Sequence, residues 1–580
     1  MIVRPSLLLA LGLSAGMSAL LLGACRSADG WRDQADRDVY QLVKSRRARL
    51  GVGDGSFTIE PQPDSLRQRL LRGEEPASAP LTLVQCLEIA AENNRDYQAR
   101  RESLYLSALD LTLERWRFAV HETGLLAAAV DGTGDTAETA SADADLHLSK
   151  LLGTGALVVG DIGLSLTRSL TSGDTWNPIG DMGLAITQPL LRGAGKRIVE
   201  ENLTQAERDL VYEVRSFERF RRTFAFDVAQ RFYAILEQQD AVSNQEKNYE
   251  NLQALSQRNA ALTEAGRLSD IEAGQARQNE LRSLDNLLQA RARLQSEEDL
   301  LRIFLGLPPN APVQFDSAEL ERLATQDLAP IAIDEETAAA YALASRLDHL
   351  TVLDRSEDSD RKVYVAQDAL RAGLTLGVDW HNTSEPGKPA KFNFQDSTWS
   401  VSALLDLPID RLAERNAYRQ ALIARESALR DTDESADRIR AELREDLRQT
   451  TNRAESWRIQ KIAVDLAARR IESTDLKLQA GRADTRDLLE AQEALLDARN
   501  GASAALIDLT LARLALFLDM ELLRVDESGV HAEPLPPPNA EPPPAGPVPA
   551  DDPGAQGAPA SAWSAPGIGS DGVVPGRVGA

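Results

Sequence analysis

The sequence is poor in aromatic residues and in net positive charge, and each shortage excludes a class of protein. Only 5% of its 580 residues are aromatic, whereas alanine, leucine, arginine and glutamate are abundant. That composition fits long helices packed side by side better than thick globular cores. The formal net charge of -25 argues against a surface that binds nucleic acid, because the phosphates would repel it. An acidic chain can still attract cations into an enclosed space.

Histidine is also scarce, and no catalytic arrangement can be assembled from the residues present. The five histidines lack the spacing of metal ligands: His121, His147, His349, His381 and His531. The run Gly193-Ala194-Gly195-Lys196 resembles part of a phosphate-binding loop, but Arg197 stands where that loop needs Ser or Thr. We interpret this run as a flexible joint between a strand and a helix. The sequence therefore predicts a protein that is not an enzyme and has no cofactor or metal site.

Glycine and proline are absent from two long runs, 196–265 and 409–480. Each run is followed at once by Gly-Arg, completing the tripeptide Ala-Gly-Arg. The two runs predict helices of about 70 residues, each about 100 Å long at 1.5 Å per residue. Because helices in soluble proteins average three or four turns, two such rods predict an architecture that covers distance.

The two rods belong to two copies of one unit, predicted at 81–325 and 326–530. Residues 81–118 align without gaps on 333–370, at low identity but with the same pattern of apolar positions. Later motifs recur in the same order: Pro189 and Pro408, Ala265-Gly266-Arg267 and Ala480-Gly481-Arg482, Asp270-Ile271 and Asp487-Leu488, Phe304-Leu305 and Phe517-Leu518. One unit therefore predicts a helix, strands, a long helix, a sharp tip and a returning helix.

Residues 1–24 are predicted to be a signal peptide. One charge, Arg4, precedes an apolar stretch that is too short for a confident membrane span. The stretch ends in Leu22-Gly23-Ala24-Cys25, which resembles a bacterial lipobox, so Cys25 is the expected lipidation site. An ordinary secretory peptide with a chance cysteine is the alternative. Arg26 follows the cysteine, which in lipoproteins of this class implies release to the outer membrane.

Two segments flank the repeats. Residues 25–80 are polar with a short amphipathic piece at 38–50, and we expect a leader that runs from the lipid anchor along the outside of the body. Residues 531–580 are rich in Pro, Gly and Ala and cannot bury enough apolar surface to fold, so we expect a disordered tail. With Cys25 lipidated, Cys86 is the only remaining thiol, and the helical spacing of its apolar neighbours predicts that it is buried.

Alternating residues in each unit predict the strands of a transmembrane β-barrel. In the second unit, apolar residues alternate with small or polar ones over 371–380, and the pattern resumes over 399–407 after a polar loop. The first unit repeats the pattern at 162–166 and 182–186. A further alternating stretch, 144–152, has no counterpart in the second unit. Strands of this length with Trp at their ends suit a membrane barrel, and two half-buried hairpins on a soluble sheet are the alternative.

Closure of such a barrel requires several chains. Two hairpins give about four strands, whereas the smallest membrane barrels have about eight. Open edges are excluded because an unpaired backbone group in lipid costs several kcal/mol. Two chains would close about eight strands around a filled interior, and three would close about twelve strands around a lumen. We therefore expect a homotrimer whose helices form a tube.

Several motifs resemble those of the TolC-type outer-membrane efflux proteins. The strand-to-helix junction of that family is similar to residues 183–193 and 405–408, its end-of-repeat signature to 305–308, and its helical tip to 480–491. The resemblance covers about 81–525. It implies a mainly α protein with a membrane β-barrel: a trimeric barrel plus a periplasmic α-helical tunnel. It also implies docking to a periplasmic adaptor protein and an inner-membrane pump. A lipid-anchored periplasmic spacer or envelope tether without transport is the alternative.

The resemblance also indicates two sets of site residues. The turns after the long helices would meet the adaptor, through Gly266, Arg267, Leu268, Gly481, Arg482 and Ala483. Asp487 and Glu490 share a helical face and match the acidic positions that ring the periplasmic entrance of the tunnel. Turn formation for the glycines and an ordinary solvated face for the acids are the alternatives. Asp270 and Glu272 do not share a face and carry less weight. The exported substrate and the pump class stay open.

Overall fold

The computed structural model of the chain describes residues 27–535 apart from 51–56, 75–78, 133–137, 173, 326–330, 481 and 527–528. These residues lie in the first of two units into which the chain divides, 1–545; the second, 546–580, lies outside the described residues. The predicted signal peptide, Cys25, Gly481 and the tail beyond residue 535 also lie outside them.

The described chain is mostly helical and contains one large sheet. Its helices are α1 (Ala28–Arg49), α2 (Leu66–Leu71), α3 (Leu83–Asn93), α4 (Arg95–Trp116), α5 (Lys196–Val199), α6 (Glu201–Glu264), α7 (Asp270–Phe304), α8 (Ala318–Thr325), α9 (Glu335–Ser345), α10 (Leu347–Asp368), α11 (Leu412–Gln479) and α12 (Thr485–Asp519). Its strands are β1 (Val120–Gly132), β2 (Glu138–Leu151), β3 (Leu157–Ser169), β4 (Asn177–Pro189), β5 (Gly373–Thr383), β6 (Thr398–Asp406), β7 (Leu523–Asp526) and β8 (Gly529–Ala532).

Helices of matching length recur in the two halves of the chain, before and after residue 325. Helices α3 and α4 have 11 and 22 residues, and α9 and α10 have the same lengths. The long helices α6 and α11 have 64 and 68 residues, and the returning helices α7 and α12 have 35 each. The prediction of two rods about 100 Å long that end just before Ala-Gly-Arg is therefore confirmed.

The helix starts correct one detail of the sequence pairing. Helix α7 begins after its N-cap Ser269, and α12 begins after its N-cap Asp484. Counting from these caps, Glu272 and not Asp270 is the equivalent of Asp487. The sequence pairing of Asp270-Ile271 with Asp487-Leu488 is therefore misaligned by two residues. Sequence similarity alone matched two aspartates that occupy different positions in the first turns of their helices.

The large sheet contains six strands in the order β1-β2-β3-β4-β5-β6, and every neighbouring pair is antiparallel. The expectation of about four strands per chain is therefore wrong. The stretch 144–152, which had no counterpart, lies largely in β2. Its partner β1 was missed because Leu125 to Ala129 is apolar without alternation. Strands β4 and β5 join the two halves through pairs such as Ile186 with Val378.

The register of the sheet separates two faces. The apolar face carries a continuous field of hydrophobic side chains across all six strands: Leu126, Leu146, Leu148, Ile162, Leu164, Met182, Leu184, Leu376, Val378, Trp380, Trp399 and Val401. Many of them are exposed in the single chain, Trp399 at 75%. Trp380 and Trp399 are direct cross-strand partners near one end of the field. An exposed apolar surface of this extent requires lipid or a partner to cover it.

The segment between β4 and α6 is held in place rather than flexible, which corrects the interpretation of 193–196 as a flexible joint. Gly193 and Gly195 have φ angles of 76° and 94°, which L side chains rarely adopt. The N–H of Gly193 donates to Asp368 Oδ2 at 2.8 Å. Arg192 Nη2 donates to Asp406 Oδ2 at 2.7 Å, which connects the ends of β4 and β6. Glycine is used here for backbone geometry, and the hydrogen bonds fix the segment.

The leader contributes to a core. Helix α1 extends over 28–49, longer than the predicted amphipathic piece, and its Val39 and Val43 are fully buried against α4 and α6. Buried Arg47 donates from Nε to Glu218 Oε1 at 3.0 Å. The expectation that this leader only runs along the outside is therefore corrected for α1, which closes one of the helical cores.

Cys86 lies in the neighbouring core and is fully buried, as predicted. Burial raises the pKa of its thiol to about 12, so the side chain is a neutral, unreactive packing group. In the same region Gly306, with a φ angle of 76°, ends α7 where an added Cβ would lie 2.2 Å from the carbonyl oxygen of Asn93. Only glycine fits this contact between α7 and α3.

Helix α12 is the one helix within the described ranges that is long and apolar enough, by length and composition, to cross a membrane. In the structure it packs against α11 and α6 along the helical body, and Leu509, Leu516 and Met520 are almost fully buried. Protein contacts therefore account for part of its apolar character, since 44% of its most apolar 18-residue window is buried.

Candidate functional site

The first tip is the turn between α6 and α7, and Gly266 forms it. Its φ angle is 70°, and its N–H donates to the carbonyl of Thr263 at 2.9 Å. The N–H of Arg267 donates to the carbonyl of Leu262 at 2.8 Å. This pair of bonds is the usual glycine-terminated end of a helix. The φ angle and the two hydrogen bonds show that Gly266 forms the turn. The Ser269 hydroxyl then caps α7.

The second tip, between α11 and α12, shares one backbone hydrogen bond with the first. The N–H of Arg482 donates to the carbonyl of Lys477 at 2.8 Å, which is the bond that Arg267 makes at the first tip. Arg267 and Arg482 are both exposed, as expected for docking residues. Leu268 and Ala483 are half-buried instead of exposed. Only the arginines therefore fully present their side chains.

A buried hydrogen bond holds the two tips together. Asn259 Nδ2, near the end of α6, donates to Thr485 Oγ1, at the start of α12, at 3.1 Å. Both side chains are almost completely buried. Arg258 of α6 also lies 3.7 Å from Asp475 of α11. The sequence offered no signal for this contact, since the two partners are 226 residues apart and individually ordinary.

Asp487 and Glu490 lie on the exposed surface in the first turns of α12. Asp487 Oδ2 accepts the N–H of Asp484 at 3.1 Å and so helps to cap the helix. Glu490 Oε1 accepts from Arg486 Nε at 3.0 Å. Each carboxylate thus has a local partner, while both remain on one side of the tip and available to solvent.

One exposed residue at the first tip was missed. Ile271, the second residue of α7, is 74% exposed. Sequence pairing matched it to Leu488, which is buried at 4% exposure. Counted from the helix caps, its equivalent is the exposed Arg486. The sequence did contain a signal for it. The first turn of α7 was expected at the far end of a rod, where an apolar side chain is unusual unless something covers it.

The polar face of the sheet, opposite the apolar face, is strongly acidic. Seven aspartates lie on it: Asp131, Asp143, Asp145, Asp161, Asp181, Asp379 and Asp406. The two basic residues within the six strands, Lys150 and Arg168, lie on the other face. Small residues make room for the acids: a Cβ on Gly163 would lie 2.4 Å from Asp181 Oδ1 and 2.8 Å from Asp145 Oδ1.

This face has the character of a surface that attracts cations. In the part of the chain that the structure describes, no group of three His, Cys, Asp or Glu side chains is arranged to hold a metal ion. His147 and His381 lie in register with Asp161 across Gly183. His121 of β1 lies on the same face, which therefore carries three imidazoles. The chemistry available is therefore electrostatic.

Two carboxyl groups meet in the helical body, away from the sheet and the tips. Burial, followed by the charge of Asp519, raises the pKa of Asp446 to about 7. Asp446 Oδ2 is buried without a hydrogen-bond donor, whereas Asp519 Oδ1 accepts from Arg219 Nη2 at 2.9 Å. The raised pKa favours the protonated form of Asp446 beside the Asp519 carboxylate.

This pair predicts a pH-dependent stability. Because the folded pKa of Asp446 is raised, its contribution is complete below the unfolded pKa and is lost as pH rises through the folded value. Asp446→Asn should therefore remove the loss and stabilise the protein by about 1 kcal/mol at pH 8, after discounting for partial exposure, with little effect at pH 4. Melting temperatures of both proteins from pH 4 to 8 measure this. Parallel curves over the whole range would contradict it.

Comparisons with known proteins identify the fold. No protein-family model matches the sequence, and no curated protein matches it. A membrane protein from Pseudomonas aeruginosa is similar at a TM-score of 0.57 and 14% identity, over 76% of this chain and 92% of that one. The CmeC outer membrane channel of Campylobacter jejuni gives 0.55 and 14%, over 76% and 85%. The open-state MtrE outer membrane channel of Neisseria gonorrhoeae gives 0.55 and 11%, over 76% and 88%. The chain has the TolC-type outer-membrane channel fold, as its motifs predicted.

Proposed function

We propose that the chain is the outer-membrane channel of a tripartite efflux or export system and acts as a passive conduit, without enzymatic activity. The observation that carries this proposal is the six-stranded sheet, which is apolar on one face, acidic on the other and joined directly to two helices about 100 Å long. A conduit needs a lipid-facing wall, a wet interior and a reach across the periplasm. The proposed location is the outer membrane, with the helical domain in the periplasm and a lipid on Cys25.

The proposed assembly is a homotrimer of chains that each contain two copies of one unit. Helix α6 has 21 buried residues, whereas the longer α11 has three: Ile439, Leu443 and Thr450. Along one side of α11, Ile459, Ile462 and Leu466 are each more than half exposed at helical spacing. We call these three residues the α11 stripe. An exposed apolar stripe of this kind indicates a neighbouring helix, which a second copy would supply.

The main alternative is a lipid-anchored periplasmic spacer or envelope tether that transports nothing. A tether built of long helices has no use for a six-stranded sheet with one apolar and one acidic face. Reconstitution into liposomes separates the two functions. The channel should release a trapped small solute, whereas a tether should leave the vesicles sealed. Sealed vesicles that contain correctly inserted protein would overturn the proposal.

By the proposed function, the tips dock to a periplasmic adaptor protein that is in turn bound to an inner-membrane pump. Arg267→Glu with Arg482→Glu should then weaken adaptor crosslinking several-fold while leaving the trimer intact, because both guanidinium groups are exposed and their reversal repels an acidic partner surface. Arg438→Glu, exposed on α11 and about 60 Å from its tip end at 1.5 Å per residue, is the matched control. Unchanged crosslinking and efflux in the double variant would reject a docking role.

Asp487 and Glu490 are proposed to ring the periplasmic gate. Three chains would bring six carboxylates towards one axis, where cations would be favoured. Asp487→Asn with Glu490→Gln should reduce the cation-to-anion permeability ratio by about twofold or more and weaken block by multivalent cations, without changing assembly. Glu264→Gln with Asp270→Asn, at the first tip, is the control pair. Identical selectivity and block in single-channel recordings of the gate variant would place these residues outside the pore.

A further inference from the structure

The sheet has two open edges that nothing in the described chain covers. Strand β1 forms one edge and β6 the other. All nine residues of β6 are exposed, as are twelve of the 13 residues of β1. In the outer membrane each unpaired backbone group on these edges would cost several kcal/mol. Both edges therefore require a strand from elsewhere.

A second copy of this chain supplies the matching strand. Because six antiparallel strands alternate in direction, β1 and β6 run in opposite directions, and β6 of one copy can continue the antiparallel order beside β1 of the next. Their faces also match. Val401 and Ala403 of β6 lie on the apolar face, as do Leu126 and Ala128 of β1. If β6 and β1 pair with their apolar faces on the same side of the barrel, the pairing moves no additional polar side chain into lipid.

We propose that β6 of each copy pairs with β1 of the next, so that three copies close a barrel of eighteen strands, six from each chain. This inference rests on the proposed trimeric channel and deepens it. The β1–β2 hairpin accounts for the number eighteen. Without it each chain would contribute four strands, and three chains would close a barrel of twelve. The hairpin is integral to the sheet, because β2 pairs with β3 over 13 residues, from Thr139 with Ser169 to Leu151 with Leu157.

The additional strands determine the width of the passage. With strands about 4.8 Å apart and tilted by about 40°, eighteen strands give a backbone diameter of about 36 Å, compared with about 24 Å for twelve. Barrels of 16 to 18 strands enclose an aqueous channel. The polar face adds little obstruction where its residues are small: Gly163, Ser165, Gly183, Thr375, Gly377 and Ser402. The narrowest point is therefore expected in the helical part.

Disulfide crosslinking in the intact trimer tests the edge pairing. Cys86→Ala removes the buried free thiol, and Val401→Cys provides a fixed probe on β6. A first series places the second cysteine on the apolar face of β1, at Gly124, Leu126, Ala128 or Val130. A second series places it on the apolar face of β3, at Val158, Gly160, Ile162 or Leu164, which would be the edge if the β1–β2 hairpin stood outside the barrel. Disulfides require Cβ atoms about 4 Å apart.

We expect mild oxidation of the membrane-inserted protein to give dimers and trimers with one or two β1 positions, and none with the β3 series. Crosslinks from β3 instead would overturn the eighteen-strand barrel and leave the channel function standing with twelve strands. Crosslinked products no larger than dimers would also overturn the eighteen-strand barrel. So would intact trimers in which no β1 position forms a disulfide. Protein that is monomeric and does not conduct would instead show that the proposed function itself fails.

Discussion

Replacing the three residues of the α11 stripe by aspartate is expected to abolish the trimer. In the single chain Ile459, Ile462 and Leu466 are 54%, 53% and 60% exposed, so the substitutions should leave the monomer folded. In the assembly each aspartate would be buried against a neighbouring helix, at a cost of at least about 2 kcal/mol per site. The summed cost of three such sites per chain is more than we expect the interface to tolerate. Native mass spectrometry in detergent should therefore show monomers.

A conservative variant provides the control for this result. Ile459→Leu, Ile462→Leu and Leu466→Met keep the volume and apolar character of the stripe, and this protein should remain trimeric. Circular dichroism establishes whether the aspartate variant keeps its helices. Fully trimeric aspartate protein would show that the stripe faces solvent and that the copies meet elsewhere.

Loss of the Glu521 carboxylate is expected to be the most destabilising single change. Glu521 is 5% exposed and stands just after α12. It is hydrogen-bonded to Arg219 Nη1 at 2.8 Å and to Arg222. Glu521→Ala would leave these guanidinium groups buried without that partner, which typically costs 3–5 kcal/mol. The melting temperature measures this loss.

Two further variants identify the cause. Glu533→Ala breaks a more exposed pair with Arg524, and we expect less than about 1 kcal/mol. Glu521→Gly also removes the carboxylate but relieves the backbone, since the φ angle of Glu521 is 61°, so it should be about 1 kcal/mol less harmful than alanine. Equal melting temperatures for Glu521→Ala and the intact protein would contradict the role given to this ion pair.

The long helices and the turn at Gly266 could be predicted from the sequence because each has a direct local cause. A run without glycine or proline continues as a helix, and a glycine after it permits the left-handed turn. Strand β1 could not be predicted in this way, because Leu125 to Ala129 lacks alternation. Its role depends on pairing with β2, which is a tertiary property. The strand count per chain was therefore too low.

The tips show the same division. The exposure of Arg267 and Arg482 followed from their position after a turn, whereas the partial burial of Leu268 and Ala483 is a tertiary property that their position alone does not predict. The bond between Asn259 and Thr485 joins distant parts of the chain, and no local pattern announces it. The difference between exposed Ile271 and buried Leu488 arises because sequence similarity matched residues that lie two positions apart in their helices.

The central claim is that copies of this chain together form a conduit through the outer membrane. Single-channel recording of the purified full-length protein in a planar bilayer, combined with its mass in the same detergent, tests it most directly. We predict a trimer with discrete, cation-preferring openings, because the polar face of the sheet and the proposed gate residues Asp487 and Glu490 are acidic. A monomer that inserts without conductance would contradict the account and favour the tether.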